Sequence, residues 1–482
     1  MSNPPPPALL QALERLLGPK GYTADAGDLA PWLTDWRGRF RGEAAAMLSP
    51  ASTKEVAEIV RLCAEARVPL VPQGGNTSMV AGATPGPGGD SLLLSLRRMN
   101  RIRALSFETD QAVCEAGVIL ANLHEAAAKV GRRFPLSLGA KGSATIGGLV
   151  STNAGGTQVL RFGTMRGLVL GIEAVLPDGS VFEGLTALKK DNRGYDLKQL
   201  LIGAEGTLGV VTAATLRLVA AVGSRAVAWI GLASPDKALE LLRLLEASTG
   251  EAVESFELVP AAALDLVLAH VPGTRAPLTQ AHKWNVLVEA VAPVVTPSPE
   301  KALAAALRAA LKTGVIDDAV IAASEAQAEA FWRLRDSISE GEQKDGPAAK
   351  HDISVPVADM PRFMTEAAAA VGSRFAGTRV IAFGHLGDGN VHFNVGAPRD
   401  AGPDWLTGDA PAVTAFVHDL TVAAGGSISA EHGIGQMRLA ELARLGEPAL
   451  LSAMRAIKKA LDPNGIMNPG KLVPLAEPAN GP

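Results

Sequence analysis

Cysteine is nearly absent from this sequence, since its 482 residues contain only Cys63 and Cys114. Two thiols exclude a disulfide framework, a four-cysteine zinc site and a self-contained iron–sulfur cluster. This cysteine usage is typical of a reduced compartment, so we expect a cytoplasmic protein, with peripheral association with the inner membrane as the alternative.

Long apolar runs and long basic runs are missing as well. No stretch of about 18 uncharged apolar residues occurs, so the sequence predicts no transmembrane segment. The 45 basic and 49 acidic residues nearly balance, which disfavours nucleic acid as a partner. Neither the Rossmann glycine fingerprint nor a P-loop motif is present, which argues against an NAD domain and a P-loop NTPase.

Glycine, in contrast, is abundant, at 51 residues, and much of it lies in three loops next to predicted strands. The loops are residues 72–78, 137–156 and 203–209. Loops of this kind let several backbone N–H groups approach a phosphate. Each loop alone is as well explained by tight turns, but three within about 140 residues favour one extended phosphate-bearing ligand.

Strand and helix patterns alternate along the chain and predict an α+β protein. We divide it into an N-terminal segment (1–43), an α+β domain with the three loops (44–222), a second α+β domain (223–411) and a C-terminal helical segment (412–482). The second domain is expected to carry helices on one face of its sheet. One of these helices is predicted over residues 326–340.

The segment 384–394 contains an Asp-Gly pair, Asp388-Gly389, between apolar residues, which is a strong hairpin signal. A two-residue turn at this pair places His385 opposite His392 on one face, with Asn394 on the same face. Two adjacent imidazoles can bind a metal ion and leave a coordination position for substrate. A surface hairpin with two solvated histidines is the alternative, and the hairpin pattern does not decide between them.

Glu431 and His432 form a second candidate pair, directly before Gly433. Adjacent residues can serve one site only from a turn, and the glycine permits a turn. Glu431 would complete a His, His, carboxylate set with His385 and His392, which suits Zn²⁺ or Mn²⁺. The alternative is an acid that interacts with a helix N-terminus. His432 can act as a general base, or it can make a structural hydrogen bond.

Arg335 and Ser339 are four residues apart on the predicted helix 326–340, and Lys350 follows it. Arg335 and Ser339 can therefore project to one side of the helix. Arginine offers a bidentate fork for a carboxylate and lysine offers a point charge. A solvated helix face is the alternative, and the sequence pattern alone does not separate the two.

Together these motifs resemble those of flavin-dependent 2-hydroxyacid dehydrogenases with a vanillyl-alcohol-oxidase-type (PCMH) FAD domain, a family that includes D-2-hydroxyglutarate and D-lactate dehydrogenases. The resemblance spans residues 50–472 and rests on the segments 72–78, 139–167, 203–212, 384–394, 431–435 and 468–471. It implies a PCMH-type FAD-binding domain, then a ferredoxin-like α+β substrate domain and a C-terminal helical segment.

The resemblance also implies which residues contact FAD. Asn76 stands where some relatives carry a histidine that links the flavin covalently, so we expect noncovalent FAD. The expected contacts are Pro72, Gly74, Gly75, Asn76, Thr77, Ser78, Gly142, Ser143, Ile146, Gly147, Gly148, Thr152, Asn153, Gly155, Glu205, Gly206, Val211 and Asn468.

For the reaction, the resemblance assigns His432 to proton abstraction from the substrate. It assigns a divalent metal, with Zn²⁺ expected and Mn²⁺ as the alternative, to His385, His392 and Glu431. It assigns substrate binding to Arg335, Ser339, Lys350 and Asn394. This pattern is most similar to the D-2-hydroxyglutarate branch, although Ser339 stands where the family usually has threonine.

The resemblance therefore implies oxidation of D-2-hydroxyglutarate to the 2-oxo acid. Oxidation of D-lactate or a glycolate-like acid is the alternative, and a zinc hydrolase is a more distant one. Because the chain has no second redox centre, electrons are expected to pass to an external acceptor such as electron-transfer flavoprotein or a quinone. We also expect a homodimer.

Overall fold

The computed structural model describes residues 4–293 and 298–475. Of these residues, 4–156, 163–220 and 431–475 form one compact unit, and 157–162 together with 221–430 form a second one. Each unit is therefore discontinuous in sequence, whereas the predicted domains are continuous segments. The predicted C-terminal segment contributes residues 412–430 to the second unit and its later part to the first.

The helices and strands are numbered in chain order, and short 3₁₀ turns occur at Ala30–Trp32 and Pro403–Leu406. The helices are α1 (Pro7–Leu17), α2 (Ala26–Leu29), α3 (Thr53–Ala66), α4 (Leu120–Ala128), α5 (Ile146–Ser151), α6 (Val159–Phe162), α7 (Met165–Leu168), α8 (Leu197–Leu201), α9 (Pro235–Thr249), α10 (Ala261–His270), α11 (Pro299–Thr313), α12 (Glu325–Asp336), α13 (Ile338–Asp345), α14 (Met360–Arg374), α15 (Ala410–Ala423), α16 (Leu439–Leu445) and α17 (Pro448–Leu461). The strands are β1 (Tyr22–Thr23), β2 (Met47–Leu48), β3 (Leu70–Gln73), β4 (Leu92–Ser95), β5 (Ile102–Ser106), β6 (Gln111–Glu115), β7 (Arg132–Arg133), β8 (Val169–Val175), β9 (Val181–Gly184), β10 (Val210–Arg217), β11 (Val219–Ala220), β12 (Val222–Leu232), β13 (Val253–Pro260), β14 (Trp284–Pro293), β15 (Asp318–Ile321), β16 (Ala348–Ser354), β17 (Arg379–His385) and β18 (Asn390–Gly396).

The first unit contains a four-stranded sheet of order β1-β2-β4-β3 and a five-stranded sheet of order β5-β6-β10-β8-β9. The five-stranded sheet is antiparallel throughout, and β4 pairs in parallel with β2 and β3. Helix α3 packs its apolar face, which includes Ile59 and Cys63, into a core that also contains Leu92 and Leu94 of β4. The strand β3 ends at Gln73, and the glycines of the first glycine-rich loop follow directly.

The second unit contains a seven-stranded antiparallel sheet of order β15-β12-β14-β13-β17-β18-β16. Residues of α9, α11, α14 and α15 share one core with Ala228 and Ile230 of β12, whereas α10, α12 and α13 share another core with Val227 and Trp229. Neighbouring residues of a strand point to opposite faces, so helices cover both faces of this sheet. The prediction of helices on one face is wrong because β12 buries both of its faces, as continuously apolar strands do.

The predicted helix 326–340 is wrong in its extent, because the chain forms two helices, α12 and α13, that meet at Ser337. Ser337 has φ −84° and ψ 0°. The segment Ser337-Ile338-Ser339 contains a β-branched residue and two hydroxyl residues, which favour a helix interior only weakly. Arg335 and Ser339 therefore lie on different helices.

The hairpin between β17 and β18 also differs from the prediction. Four residues, 386–389, connect the strands, and the register pairs His385 with Asn390 and Phe383 with His392. A two-residue type I′ turn requires positive φ at both central residues, but only Gly389 has it, at 79°. The carboxylate of Asp388 instead accepts the N–H of Asn390 at 3.0 Å. Because the register differs by two residues, both histidines keep the same face.

Among the helices of the described residues, none has the length and apolar character that a membrane crossing requires. The α+β class follows directly from the sheets and helices above, while the ferredoxin-like description of the second domain stays a prediction.

Candidate functional site

Four residues that sequence reasoning selected, namely Lys350, His385, His392 and Asn394, share one face of the sheet of the second unit. Direct partners on neighbouring antiparallel strands point to the same face, as do residues two apart on one strand. The register pairs Lys350 with Asn394 and Asp352 with His392. It also pairs Glu257 with His385. The face therefore carries Glu257, Lys350, Asp352, His385, His392 and Asn394.

The two imidazoles of this face are close neighbours. The ring centroids of His385 and His392 are 5.5 Å apart, and the rings are tilted by 77°. Each ring offers a nitrogen that lies within 4.8 Å of a nitrogen of the other. The diagonal placement in the register thus brings the rings together although they are not direct partners. The donor set suits a divalent transition metal such as Zn²⁺, and the assignment as metal ligands stays a prediction.

Glu257, on the central strand β13, orients one of these rings. Its Oε1 lies 2.7 Å from Nδ1 of His385, and its Oε2 accepts the Nε–H of Arg335 at 2.8 Å. Burial raises the pKa of Glu257, but the charges of His385 and Arg335 and their hydrogen bonds outweigh it and bring the pKa to about 2. The ionised carboxylate can only accept, so Nδ1 carries the proton and Nε2 is the atom that would coordinate a metal.

Sequence reasoning missed Glu257, although the sequence contains a signal for it. Residues 253–259 are all buried, and Glu257 is a carboxylate in the middle of that strand. A buried carboxylate needs partners. Those partners, Arg335 and His385, are 78 and 128 residues away in the sequence, so the pattern of one strand does not identify them.

A second buried carboxylate, Glu342 of α13, holds two predicted substrate residues. Asn394 donates from Nδ2 to both carboxylate oxygens, at 2.9 and 2.8 Å, and Nζ of Lys350 lies 3.3 Å from Oε2. Burial raises the pKa of Glu342, and Lys350 and Asn394 offset part of that shift. Sequence reasoning missed Glu342 too. Ser339 is exposed and lies one helical turn before Glu342 on α13.

Asp352, on the strand next to β18, lies beside the second imidazole. Its Oδ1 lies 4.0 Å from Nδ1 of His392 and accepts from the side-chain amide of Asn390 at 2.9 Å. The main-chain oxygen of Asp352 accepts the N–H of Ala430 at 3.2 Å. Ala430 is the last residue of the second unit, and Glu431 follows it in the chain.

In the first unit, Glu431 and His432 lie in a turn, as the sequence predicts. Gly433 has φ 79°, a conformation that glycine adopts without strain. Both side chains are half-buried, and a ligand atom of each lies within 4.8 Å of the other. The two adjacent residues can therefore serve the same site, although their roles stay predictions.

The three glycine-rich loops of the first unit meet. A Cβ atom at Gly75 would lie 1.9 Å from the main-chain oxygen of Ser143, and one at Gly74 would lie 2.2 Å from Oγ1 of Thr145. The third loop reaches the first at Gly206, whose Cβ position is 3.1 Å from the ring of Pro72. Only glycine permits the first two approaches, so the loops form a backbone-lined cradle.

Four of the expected FAD contacts have strained backbones. Asn76, Asn153, Glu205 and Asn468 have φ of 56°, 50°, 50° and 41°. Side-chain hydrogen bonds hold these residues: Asn76 donates to the oxygen of Thr34 at 2.9 Å, and Oδ1 of Asn153 accepts the N–H of Arg166 at 2.9 Å. Strain of this kind clusters at ligand sites.

The other expected FAD contacts lie in the three loops or next to them. Ile146, Gly147 and Gly148 belong to α5, and Thr152 caps its C-terminal end. Val211 is buried in β10. The remaining residues of the set are Thr77 and Ser78 after β3, Gly142 before α5 and Gly155 after it.

Two buried polar atoms, one in the second loop and one on Asn468, which contacts the third loop, bear on whether the cradle fits a cofactor. Oγ1 of Thr145 and Oδ1 of Asn468 are buried, and neither has a hydrogen-bond partner among the residues that the structure describes. Buried polar atoms normally have partners. Together with the glycine-lined approach of the loops, they fit a polar ligand such as the FAD dinucleotide.

Family models match both parts of the chain. The model described as FAD linked oxidases, C-terminal domain, matches residues 223–472, and the model described as FAD binding domain matches residues 44–184.

Relatives match over most of their length. The chain is 39% identical over 461 residues to a mitochondrial D-2-hydroxyglutarate dehydrogenase of Arabidopsis thaliana, which covers 96% of this chain and 80% of the relative. It is 36% identical to a D-2-hydroxyglutarate dehydrogenase of Xanthomonas citri, over 93% of both chains. A putative mitochondrial D-lactate dehydrogenase of Schizosaccharomyces pombe is 34% identical, over 94% of this chain and 86% of the relative.

Solved structures share the fold at low sequence identity. An alkyldihydroxyacetonephosphate synthase superposes with a TM-score of 0.75 at 16% identity and covers 97% of this chain and 86% of the other. A p-cresol methylhydroxylase with bound substrate gives 0.75 at 16% identity, over 96% of both chains. At such identities the likeness concerns the fold alone, and it confirms the predicted α+β class and the type of FAD-binding fold.

Proposed function

This chain belongs to the FAD-linked oxidases and is a flavin-dependent 2-hydroxyacid dehydrogenase, and from that premise we propose that its substrate is D-2-hydroxyglutarate. One observation carries the proposal. Arg335 donates to Glu257 of the sheet face that bears the imidazole pair, and Lys350 lies on that face with its Nζ 3.3 Å from the buried carboxylate of Glu342 on α13. Two cations beside one site suit a substrate with two carboxylates.

We propose that His385, His392 and Glu431 hold a divalent cation, with Zn²⁺ expected. The orientation of His385 by Glu257 supports this, since metal-binding histidines commonly donate their other N–H to a carboxylate. The hydrogen bond from Ala430 to Asp352 also supports it, because Glu431 is the next residue and consecutive Cα atoms are about 3.8 Å apart. A metal bound there would supply Lewis acidity toward the substrate hydroxyl.

The residues of the chain then divide the work of the reaction. Arg335 and Lys350 bind the substrate carboxylates, and Asn394 also contacts the substrate. Together these contacts hold the substrate carbon in one orientation. His432 removes the hydroxyl proton, because a neutral imidazole is a suitable base near neutral pH. FAD, when bound noncovalently by the three loops, would be the oxidant. The product is the 2-oxo acid.

Electrons must leave the reduced enzyme through an external acceptor, which we propose to be electron-transfer flavoprotein or a quinone. Both cysteines are buried, and burial raises the pKa of Cys63 and of Cys114 to about 12. Neither thiol is therefore a reactive thiolate near neutral pH. The homodimer, the cytoplasmic location and peripheral membrane association stay predictions.

D-lactate is the second candidate substrate, favoured by the similarity to the putative D-lactate dehydrogenase. D-lactate carries one carboxylate and would leave one of the two cations without a substrate partner. The zinc hydrolase alternative receives no support from the matches to FAD-protein families.

Anaerobic bleaching of the flavin absorbance tests the proposed substrate. We expect a yellow purified protein whose flavin band bleaches rapidly with D-2-hydroxyglutarate and at least about 10-fold more slowly with equal D-lactate, since one ionic contact is worth roughly a factor of ten. Faster bleaching by D-lactate would refute the assignment of D-2-hydroxyglutarate as the substrate. A protein without flavin, or a flavin that neither acid bleaches, would refute the proposed reaction.

A further inference from the structure

One buried carboxylate of the first unit fastens the turn that carries Glu431 and His432. Oε1 of Glu205 accepts the N–H of Ile434 at 2.7 Å, and Oε2 accepts the N–H of Gly435 at 2.8 Å. The two bonds use both oxygens of one rigid group, so they fix the orientation of this backbone as well as its distance. Glu205 is 8% exposed.

The contact leaves no space for adjustment. A Cβ atom at Gly433 would lie 2.6 Å from Oε1 of Glu205, and one at Gly435 would lie 2.2 Å from the main-chain oxygen of Val80. Gly435 also has φ 51°. The side chain of Gln436 donates from Nε2 to two main-chain oxygens of the segment 81–84, at 3.0 and 2.8 Å. The side chains of Glu205 and Gln436 thus both hold the segment after His432.

The main chain of Glu205, unlike its carboxylate, forms hydrogen bonds within the predicted FAD cradle. Its N–H donates to the main-chain oxygen of Ser151 at 2.8 Å, and its main-chain oxygen accepts from Nδ2 of Asn468 at 2.6 Å. Its φ is 50°, a backbone conformation that few residues other than glycine adopt. One residue therefore contacts the predicted cofactor loops through its main chain and the turn of Glu431 and His432 through its carboxylate.

We propose that Glu205 is a positioning residue, whose carboxylate sets the place of Glu431 and His432 relative to the cofactor cradle. The sequence resemblance assigns this residue to FAD, but both of its carboxylate oxygens accept N–H groups of the turn. The proposal rests on the proposed roles of Glu431 in metal binding and of His432 in proton abstraction. Removing a residue that orients a metal ligand typically costs on the order of 10- to 100-fold in affinity or activity.

The test compares Glu205→Gln and Glu205→Asp with wild type as full-length protein. Glutamine has the same shape but presents an NH₂ group to one of the two N–H donors, and aspartate keeps the charge but is one methylene too short. Glu115→Gln is the matched control, because Glu115 is 1% exposed and its carboxylate binds Arg101 and Arg103 instead of the turn.

The measurements are Zn²⁺ affinity of the chelator-stripped protein, flavin content, melting temperature, and the rates of flavin reduction by D-2-hydroxyglutarate and of reoxidation by a dye after dithionite reduction. In both Glu205 variants we expect 10- to 100-fold weaker Zn²⁺ binding and slower reduction, on the order that such residues show. Flavin content and reoxidation should equal those of wild type, and Glu115→Gln should change neither affinity nor reduction.

Zn²⁺ affinity within twofold of wild type in Glu205→Gln would overturn the proposal. So would a loss in which flavin content and reoxidation fall as much as reduction, because that pattern indicates a general loss of structure. A wild type that no hydroxy acid reduces would refute the proposed function. The Zn²⁺ affinities of the variants would still decide whether Glu205 positions the turn.

Discussion

Glu257 offers the sharpest perturbation of the site, because one carboxylate holds both a candidate metal ligand and a candidate substrate residue. Its pKa of about 2, against an ordinary value of 4.5, means that the carboxylate is ionised in the folded protein near neutral pH. Replacement by glutamine leaves Arg335 near an uncharged group in a buried place. Losing one partner of a buried pair costs about 3–5 kcal/mol.

We therefore expect Glu257→Gln to lower the melting temperature by about 10 °C, at roughly 3 °C per kcal/mol for a unit of this size. The glutamine amide can also present NH₂ to Nδ1 of His385, which would disturb the ring orientation. We expect the rate of flavin reduction to fall about 10- to 100-fold and the metal content to fall below that of wild type, while flavin content is kept. Stopped-flow absorbance and elemental analysis measure these quantities.

Glu289→Gln is the matched control for this experiment. Glu289 lies in the same sheet and accepts from Arg225 at 3.1 Å and from Nε1 of Trp332 at 2.8 Å, so its loss should also destabilise the unit. Its reduction rate and metal content should match those of wild type. A Glu257→Gln protein that reduces its flavin at the wild-type rate with full metal content would refute the reasoning.

Further predictions concern charge and burial elsewhere. Lys350→Met should raise the KM for D-2-hydroxyglutarate about 10-fold or more, through loss of one ionic contact. The same change at the exposed Lys344 should leave this KM unchanged. Equal KM values for the two variants would contradict the prediction. Burial lowers the pKa of Lys471 to about 8, so below pH 8 the folded apoprotein holds a buried ammonium at a cost of about 3 kcal/mol, and this cost disappears as pH rises to 10.5. Lys471→Met should therefore melt above wild type at pH 7, by a margin that shrinks between pH 8 and 10.5, and a margin independent of pH would refute the assignment. Cys63 and Cys114, with pKa values of about 12, should not react with a thiol reagent at pH 8 until the protein is denatured, and rapid reaction of the folded protein would contradict their burial.

Local sequence pattern was sufficient where one short segment determines the geometry. The order of helix, strand and glycine-rich loop that leads to Gly74 and Gly75 is visible in the sequence, because α3, β3 and this loop follow one another directly in the chain. The closeness of His385 and His392 was also predictable, although their register was not. The register depends on the conformation of the four residues that connect the strands. Asp388 accepts the N–H of Asn390 through its carboxylate and does not adopt the positive φ of a two-residue turn.

Long-range partners were beyond local pattern. Glu257 and Glu342 can be read from the sequence, but their roles cannot. Each role depends on hydrogen-bond partners that the sheet and the helices α12 and α13 bring close to the carboxylate. The break at Ser337 illustrates the same limit, since it moves Arg335 and Ser339 onto separate helices. Helices on both faces of the sheet likewise follow from how strands such as β12 are buried.

The role of the imidazole pair is tested most directly by His385→Ala and His392→Ala, each compared with wild type in metal content, flavin content and anaerobic reduction by D-2-hydroxyglutarate. We predict that each variant keeps its flavin, loses its bound divalent metal and is no longer bleached by the substrate. Bleaching at the wild-type rate in either variant would contradict the proposed role of the pair.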